Sequence, residues 1–249
     1  MSWRRFRRAV ALGFALSQVI ARYWLLRLRG PLSLERRALW MQSSSQSVLA
    51  CLNVRYRVEG ELPTHGLVVS NHLSYLDVPI LLAAKACFFV AKSEIASWPF
   101  FGRMGTIGGT IFLNRSSRAS AQSVAEVMIE RLKLPIPIPV LLFPEGTSTD
   151  GSEVLRFHSR LIDPAIRVGA PITTAALRYV PEGGLDEREL CWYGDEAFMK
   201  HLWKLLGAGG FEAEVRFGSP RVYTDRRTAA EETRAEVTAM REEGALIPQ

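Results

Sequence analysis

Leu67-Val-Val-Ser-Asn-His-Leu-Ser-Tyr-Leu-Asp77 carries the clearest strand-to-helix junction in this 249-residue chain. Its apolar opening does not alternate, which is the pattern of a strand buried on both faces. The strand ends at Asn71-His72, a short turn follows, and Asp77-Val-Pro79 opens a helix in which proline is tolerated early. Ser74 or Asp77 offers the N-cap side chain. Five residues apart on a continuous helix, His72 and Asp77 would point about 140° apart. A strand–turn–helix junction instead folds the chain back, so that the carboxylate can reach an imidazole nitrogen. Such a dyad fixes the tautomer of His72 and stabilises the imidazolium formed when the ring takes a proton. The bland alternative is a structural hydrogen bond, and the pair taken alone favours it.

Outward from this junction, short β-branched or apolar runs alternate with helical stretches. Strands are expected at 54–59, 67–70, 87–91, 110–113, 138–143, 172–178 and 212–217, and helices near 77–85, 118–132, 160–168, 195–206 and 225–243. The alternation predicts an α/β fold: a mixed, largely parallel sheet flanked by helices. The last helix, rich in charges of both signs, reads as solvated. In Val140-Leu-Leu-Phe-Pro-Glu-Gly-Thr147 a buried strand delivers Glu145 and Gly146 into a turn at its end, where α/β folds place their sites. A plain surface turn is the competing reading of that segment.

The first 53 residues differ in texture. Residues 1–37 hold nine arginines against Glu35 alone, a local charge of +8 within a chain of net charge +6. Trp3, Phe6, Phe14 and Trp24 lie among those arginines, an apolar content that suits a bilayer interface better than a nucleic-acid backbone. No RNA-recognition, zinc-finger or basic-zipper pattern is present, so nucleic acid is not an expected partner. One helix is expected over residues 3–28, ending at Gly30-Pro31, and a second runs from the Ser33 cap to about Leu52. Thirteen uncharged residues separate Arg8 from Arg22, about 20 Å of helix and short for spanning. A two-helix membrane-docking module over 1–53 therefore precedes an α/β domain over 54–249. Cys51, Cys87 and Cys191 are odd in number and lack CxxC spacing, which fits a reducing compartment and neither a disulfide framework nor a zinc site.

No G-x-S-x-G nucleophile elbow accompanies His72 and Asp77. A hydroxyl supplied by the substrate would fill that place, which would make the chain a transferase and not a hydrolase. Taken together, the segments resemble the glycerolipid acyltransferases, the family of 1-acyl-glycerol-3-phosphate acyltransferases. Asn71-His72-x₄-Asp77 looks like the family's NHx₄D box. Gly109-Thr-Ile-Phe-Leu-Asn-Arg115 resembles its second block, Phe143-Pro-Glu-Gly-Thr147 its third, and Ala170-Pro171-Ile172 its fourth. Lys92 stands where the family has a basic residue near the phosphate site. The blocks fall in order over residues 67–178, about half of the chain.

The resemblance implies that His72 is the general base and Asp77 its orienting partner. Asn71, Lys92, Arg115, Glu145, Gly146 and Thr147 are implied to bind substrate. The donor would be acyl-CoA or acyl carrier protein, with no metal or bound cofactor. The acceptor would be a membrane lysolipid, in the first place 1-acyl-sn-glycerol-3-phosphate, at the cytoplasmic face of the inner membrane. Two departures bear on the acceptor. Ser148 stands where the third block usually continues with arginine, and His158 follows Phe157 where lysine is common. Both loosen the case for a phosphate, and Thr147-Ser-Thr-Asp-Gly151 and Cys191-Trp-Tyr-Gly-Asp-Glu196 look similar to a bacterial branch that includes lyso-ornithine lipid acyltransferases. A thioesterase using water, and a membrane-bound scaffold with a degenerate acyltransferase fold, are the competing functions.

Overall fold

The architecture was established with a computed structural model that describes residues 3–98, 100–113, 118–183 and 185–245. Eight α-helices and seven strands are present among these residues. The helices are α1 (Trp3–Arg27), α2 (Leu34–Leu52), α3 (Asp77–Ala84), α4 (Phe101–Gly108), α5 (Arg118–Leu132), α6 (Ser159–Val168), α7 (Phe198–Gly207) and α8 (Arg226–Ala245). The strands are β1 (Val54–Glu59), β2 (Leu67–Ser70), β3 (Phe88–Lys92), β4 (Ile111–Leu113), β5 (Val140–Leu142), β6 (Ile172–Pro181) and β7 (Phe211–Phe217). They form one sheet in the order β1-β7-β6-β2-β5-β3-β4. Only the β6–β7 pairing is antiparallel, so the expected mixed, largely parallel sheet is what the chain builds.

Strand periodicity sends alternate residues into two apolar layers. Val68 and Leu141 pack into one layer with Leu49 and Leu52 of α2, Ile80 of α3 and Leu205 of α7. Leu67, Val69, Val140 and Leu142 point the other way, toward Met128 of α5, Ile162 of α6 and Ala229 and Val237 of α8. The central strands are covered on both faces, which explains their unbroken apolar runs.

Several local expectations need correction. α4 is absent from the expected helices, and its Gly102, Gly105 and Gly108 are poor helix formers. These glycines are three apart and form one flat face. A Cβ on Gly102 would stand 2.1 Å from the Ala96 carbonyl oxygen, and one on Gly108 would stand 2.9 Å from Met41. Tight packing overrides propensity there. The cap of α3 is Leu76 with no side-chain bond, and Asp77 is instead the first helical residue. α8 is not a merely solvated helix. Ala229, Ala230, Thr233 and Val237 are buried, and Arg241 donates to the carbonyl oxygens of Leu177 and Gly151 and to Glu187. Ser33 caps α2 as expected, accepting from the Arg36 amide at 3.3 Å.

α1 is packed along its length. Arg8 donates to the Gly209 carbonyl at 2.9 Å, Cys51 to that of Ala11 at 3.5 Å, and the Trp40 indole to that of Val19 at 3.3 Å. Ala15 and Val19 are buried, while Trp3, Phe14, Trp24 and Leu25 are exposed. The helix is long and apolar enough to cross a membrane by length and composition, but one side of it is bound to the body. Not every arginine of the basic segment faces outward either. Arg37 donates to the Ile107 and Thr106 carbonyls at 2.5 and 2.6 Å, closing the C-terminus of α4.

Candidate active site

β2 lies between β5 and β6, with Val69 opposite Leu142 and Ser70 opposite Ala175. The segments leaving the carboxyl ends of β2 and β5 therefore emerge side by side, which brings His72 next to Phe143 and Glu145. The His72 ring stacks on Phe143, with centroids 4.2 Å apart and planes within 6°. Its Nδ1 lies 2.7 Å from Asp77 Oδ2. An ionised Asp77 takes the Nδ1 proton as its hydrogen bond, so Nε2 carries the lone pair that can accept a proton.

Asp77 is fully buried, and its two oxygens are surrounded by donors. Oδ2 also accepts from the amides of Leu73, at 2.6 Å, and Ser74, at 3.0 Å. Oδ1 accepts from the hydroxyl of Tyr179. Four donors and the N-terminus of α3 replace the water that burial removes from this carboxylate. Burial, and then the Asp77 charge, push the Tyr179 phenol well above its ordinary value and hold it as a donor. Tyr179 was missed at the level of sequence. The available signal was a tyrosine deep in a strand, since a buried phenol needs a partner.

Glu145 is engaged entirely with backbone. Oε1 accepts from the His72 amide at 2.8 Å and Oε2 from the Leu155 amide at 2.8 Å. Burial pushes its carboxyl up to about 7, against the opposing pull of those two amides. Asn71 is engaged likewise: its Nδ2 donates to the Leu177 carbonyl at 3.0 Å and its Oδ1 accepts from the Leu177 amide at 2.8 Å. These two side chains, expected to touch substrate, instead tie the His72 turn to β6 and to the loop after β5. The Thr149 amide donates to the His72 carbonyl and the Trp192 amide to that of Leu73, both at 2.9 Å. The turn's backbone is thus held by Asp77, Glu145, Thr149 and Trp192.

His72 opens onto an apolar cavity of about 580 Å³, whose walls include Leu16 of α1, Met41 and Val48 of α2 and Met104 of α4. Gly146, Thr147, Ser148, Trp192, Lys92 and Glu94 also line it. Gly146 has φ of 75°, a conformation only glycine adopts cheaply, and so permits the turn beside the imidazole. The Ser148 hydroxyl donates to the Trp192 carbonyl at 2.6 Å. Arg115 lies outside the described residues. Ala170-Pro171-Ile172 sits at the opposite end of the sheet from His72, where the Pro171 carbonyl accepts the Leu67 amide at 2.9 Å and sets the β2–β6 register. Among the described residues no group of three or more His, Cys, Asp or Glu side chains is placed to hold a metal ion.

Residues 53–178 match the family model described as Acyltransferase. The chain belongs to the acyltransferase family. Similar proteins include the lyso-ornithine lipid O-acyltransferase of Rhodobacter capsulatus, 36% identical over 71% of this chain and 65% of that protein. That of Pseudomonas aeruginosa is 31% identical over 77% of this chain and 65% of its own. The 1-acyl-sn-glycerol-3-phosphate acyltransferase of Neisseria meningitidis is 33% identical, covering 69% of this chain and 68% of that one. The chain thus spans just under two thirds of the length of the two lyso-ornithine lipid relatives. Its fold is shared with the crystal structure of the Thermotoga maritima 1-acyl-sn-glycerophosphate acyltransferase, with a TM-score of 0.70, 17% identity and 99% coverage of both chains.

Proposed function

We propose that the chain is a lysolipid O-acyltransferase that uses an acyl thioester, acyl-CoA or acyl carrier protein, as donor. His72 Nε2 takes the proton of the lysolipid hydroxyl as its oxygen attacks the thioester carbonyl. The carbon–sulfur bond breaks, and the imidazolium returns the proton to the departing thiolate. Asp77 holds the tautomer and offsets the positive charge of the ring during the step. The observation that carries this reading is a buried, fully hydrogen-bonded Asp77 on Nδ1 of a histidine whose exposed edge meets an apolar cavity. No serine or cysteine nucleophile is hydrogen-bonded to that imidazole among the described residues, so the hydroxyl is supplied by substrate.

The acceptor reading favoured here is a lysolipid with a zwitterionic head group of the lyso-ornithine type. Ser148 stands where an arginine would meet phosphate, and its hydroxyl is held by Trp192. Glu94 lines the same cavity as Lys92, and a carboxylate and an ammonium suit a head group of both signs better than a phosphate dianion. The relatives at 36% and 31% identity carry the same acceptor in their names. A second reading, 1-acyl-sn-glycerol-3-phosphate, is supported by Lys92, by the Gly109–Arg115 block and by the Neisseria relative.

α1 supports membrane association. Its apolar residues are exposed along one side while the other is bound to the body, so it lies in the interface of one leaflet, the cytoplasmic one by the position of its arginines. An acceptor panel tests the function: purified protein with lyso-ornithine lipid, lysophosphatidate or no lysolipid, each with both donors. Product from lyso-ornithine lipid supports the favoured acceptor, and product from lysophosphatidate alone replaces it with the second. Thioester cleavage that is indifferent to acceptor contradicts transfer altogether.

A further inference from the structure

α7 turns its two sides to different surroundings. Phe198 and Leu202, four residues apart and on one face, line the apolar cavity. Met199 and Trp203, also four apart, are 67% and 40% exposed. Lys200 and Lys204 are exposed beside them, while Asp195 and Glu196 fall before the helix begins. Outward-facing Met and Trp flanked by lysines form the pattern of a helix in a bilayer interface, with aliphatic stems in the acyl boundary and ammonium groups at phosphates. The inner side is fixed: His201 is fully buried and its Nδ1 meets the Tyr75 hydroxyl at 3.1 Å.

Two further segments meet α7 on this side. Arg8 of α1 donates to the carbonyls of Ala208 and Gly209 just past its end, and Leu12 of α1 lines the same cavity as Leu202. The exposed face of α7 is therefore continuous with that of α1. Phe101, at the start of α4, is 44% exposed and also lines the cavity, so it stands at the rim. It meets Phe198 edge-on at 5.6 Å, and Trp98 meets Phe198 at 5.2 Å.

We infer that α7 is a second membrane-inserting element: Met199 and Trp203 enter an anionic leaflet, Lys200 and Lys204 meet its head groups, and lysolipid reaches the cavity through the Trp98–Phe101–Phe198 seam. This rests on the membrane reading of α1. It adds that the cavity wall is itself a membrane surface, so that the acceptor moves from leaflet to His72 without crossing water. The charge complementarity of the two lysines, together with Arg4 and Arg7 on the exposed part of α1, selects an anionic bilayer as the occupant.

The test is co-sedimentation of the full chain with phosphatidylglycerol/phosphatidylcholine vesicles. It compares the wild type, Met199→Asp/Trp203→Ser on α7 and Phe14→Asp on α1. Loss of one inserted apolar side chain weakens partition by about tenfold, so the α7 variant is expected to bind at least tenfold more weakly. It should lose turnover of vesicle-borne lysolipid while keeping turnover of the same lysolipid in detergent micelles. Because an altered α7 can also disturb the fold, a second measurement places an environment-sensitive fluorophore on Met199→Cys. Its emission is expected to shift to the blue on adding these vesicles. Weakened binding in the α1 variant, with unchanged binding in the α7 variant and no blue shift, overturns this inference and leaves the membrane reading of α1 intact. Unchanged binding in both variants overturns that reading as well. Weakened binding of the α7 variant without a blue shift at position 199 also counts against insertion.

Discussion

Asp77 has four donors around two oxygens, and each one limits what the imidazole beside it can do. Replacing it by asparagine keeps the shape but puts an amide where Nδ1–H needs an acceptor, which favours the other tautomer. Asp77→Asn is expected to lower kcat by about 10²–10⁴-fold in an acyl-transfer assay, with little change in KM. Tyr179→Phe is milder and more informative. Without the phenol, more of the Asp77 charge is left to stabilise the imidazolium, so the acidic limb of the kcat/KM profile is expected to move to higher pH. A tyrosine that only fills space would lower the melting temperature and leave that limb in place. Glu145 gives a prediction about stability. Its carboxyl is raised from an ordinary value of 4.5 to about 7 by burial, so the folded chain holds a proton there that the unfolded chain releases. Stability from this group is therefore lost as pH rises from about 4.5 through 7. Denaturant titrations should show the wild type's advantage over Glu145→Gln shrinking across that window; an advantage that grows would contradict the assignment. His72, Asp77 and Glu145 were legible because they sit in short motifs at strand ends. Tyr179 and Phe143 were not legible as partners of the dyad, because contacts of β6 with α3 and of the segment after β5 with the His72 turn leave no local spacing in the sequence.

At the scale of elements, periodicity located every strand to within a few residues, since apolar runs of four to seven residues between polar turns have few other uses. The failures came where packing overruled propensity. α4 is built on glycines because Ala96 and Met41 approach its backbone too closely for a side chain. The C-terminus of α4 and the end of α7 are closed by arginines from far away in sequence, which read as a basic arm until the fold is known. Arg37 is such a clamp, and Arg37→Ala is expected to destabilise the chain by about 1 kcal/mol through the two lost carbonyl contacts. Arg36→Ala, one residue away on an exposed position, should leave thermal unfolding unchanged. Equal melting temperatures for the two variants would show that the Arg37 contacts carry no stability. The same distinction divides the basic segment into arginines that bind the body and arginines that face outward.

The whole molecule joins a rigid site to an apolar side. Carboxyl ends of β2, β3 and β5 present His72, Lys92 and Glu145, while α1, α2, α4 and α7 wall the cavity next to them. The first two helices share a layer with the sheet, α2 through buried Leu49 and Leu52 and α1 through half-buried Ala9 and Leu12, so the proposed lipid-facing surface and the proposed site are parts of one packed body. That coupling is why a histidine–aspartate pair, ambiguous by itself, acquires a chemical meaning here. The most direct test of that meaning is acceptor-dependent acyl transfer by His72→Ala, measured beside its far-ultraviolet spectrum and its binding to vesicles. A loss of about 10²–10⁴-fold in kcat, with spectrum and vesicle binding unchanged, is the expected result. Turnover within a few-fold of wild type on the same lysolipid and thioester would contradict His72 as the general base.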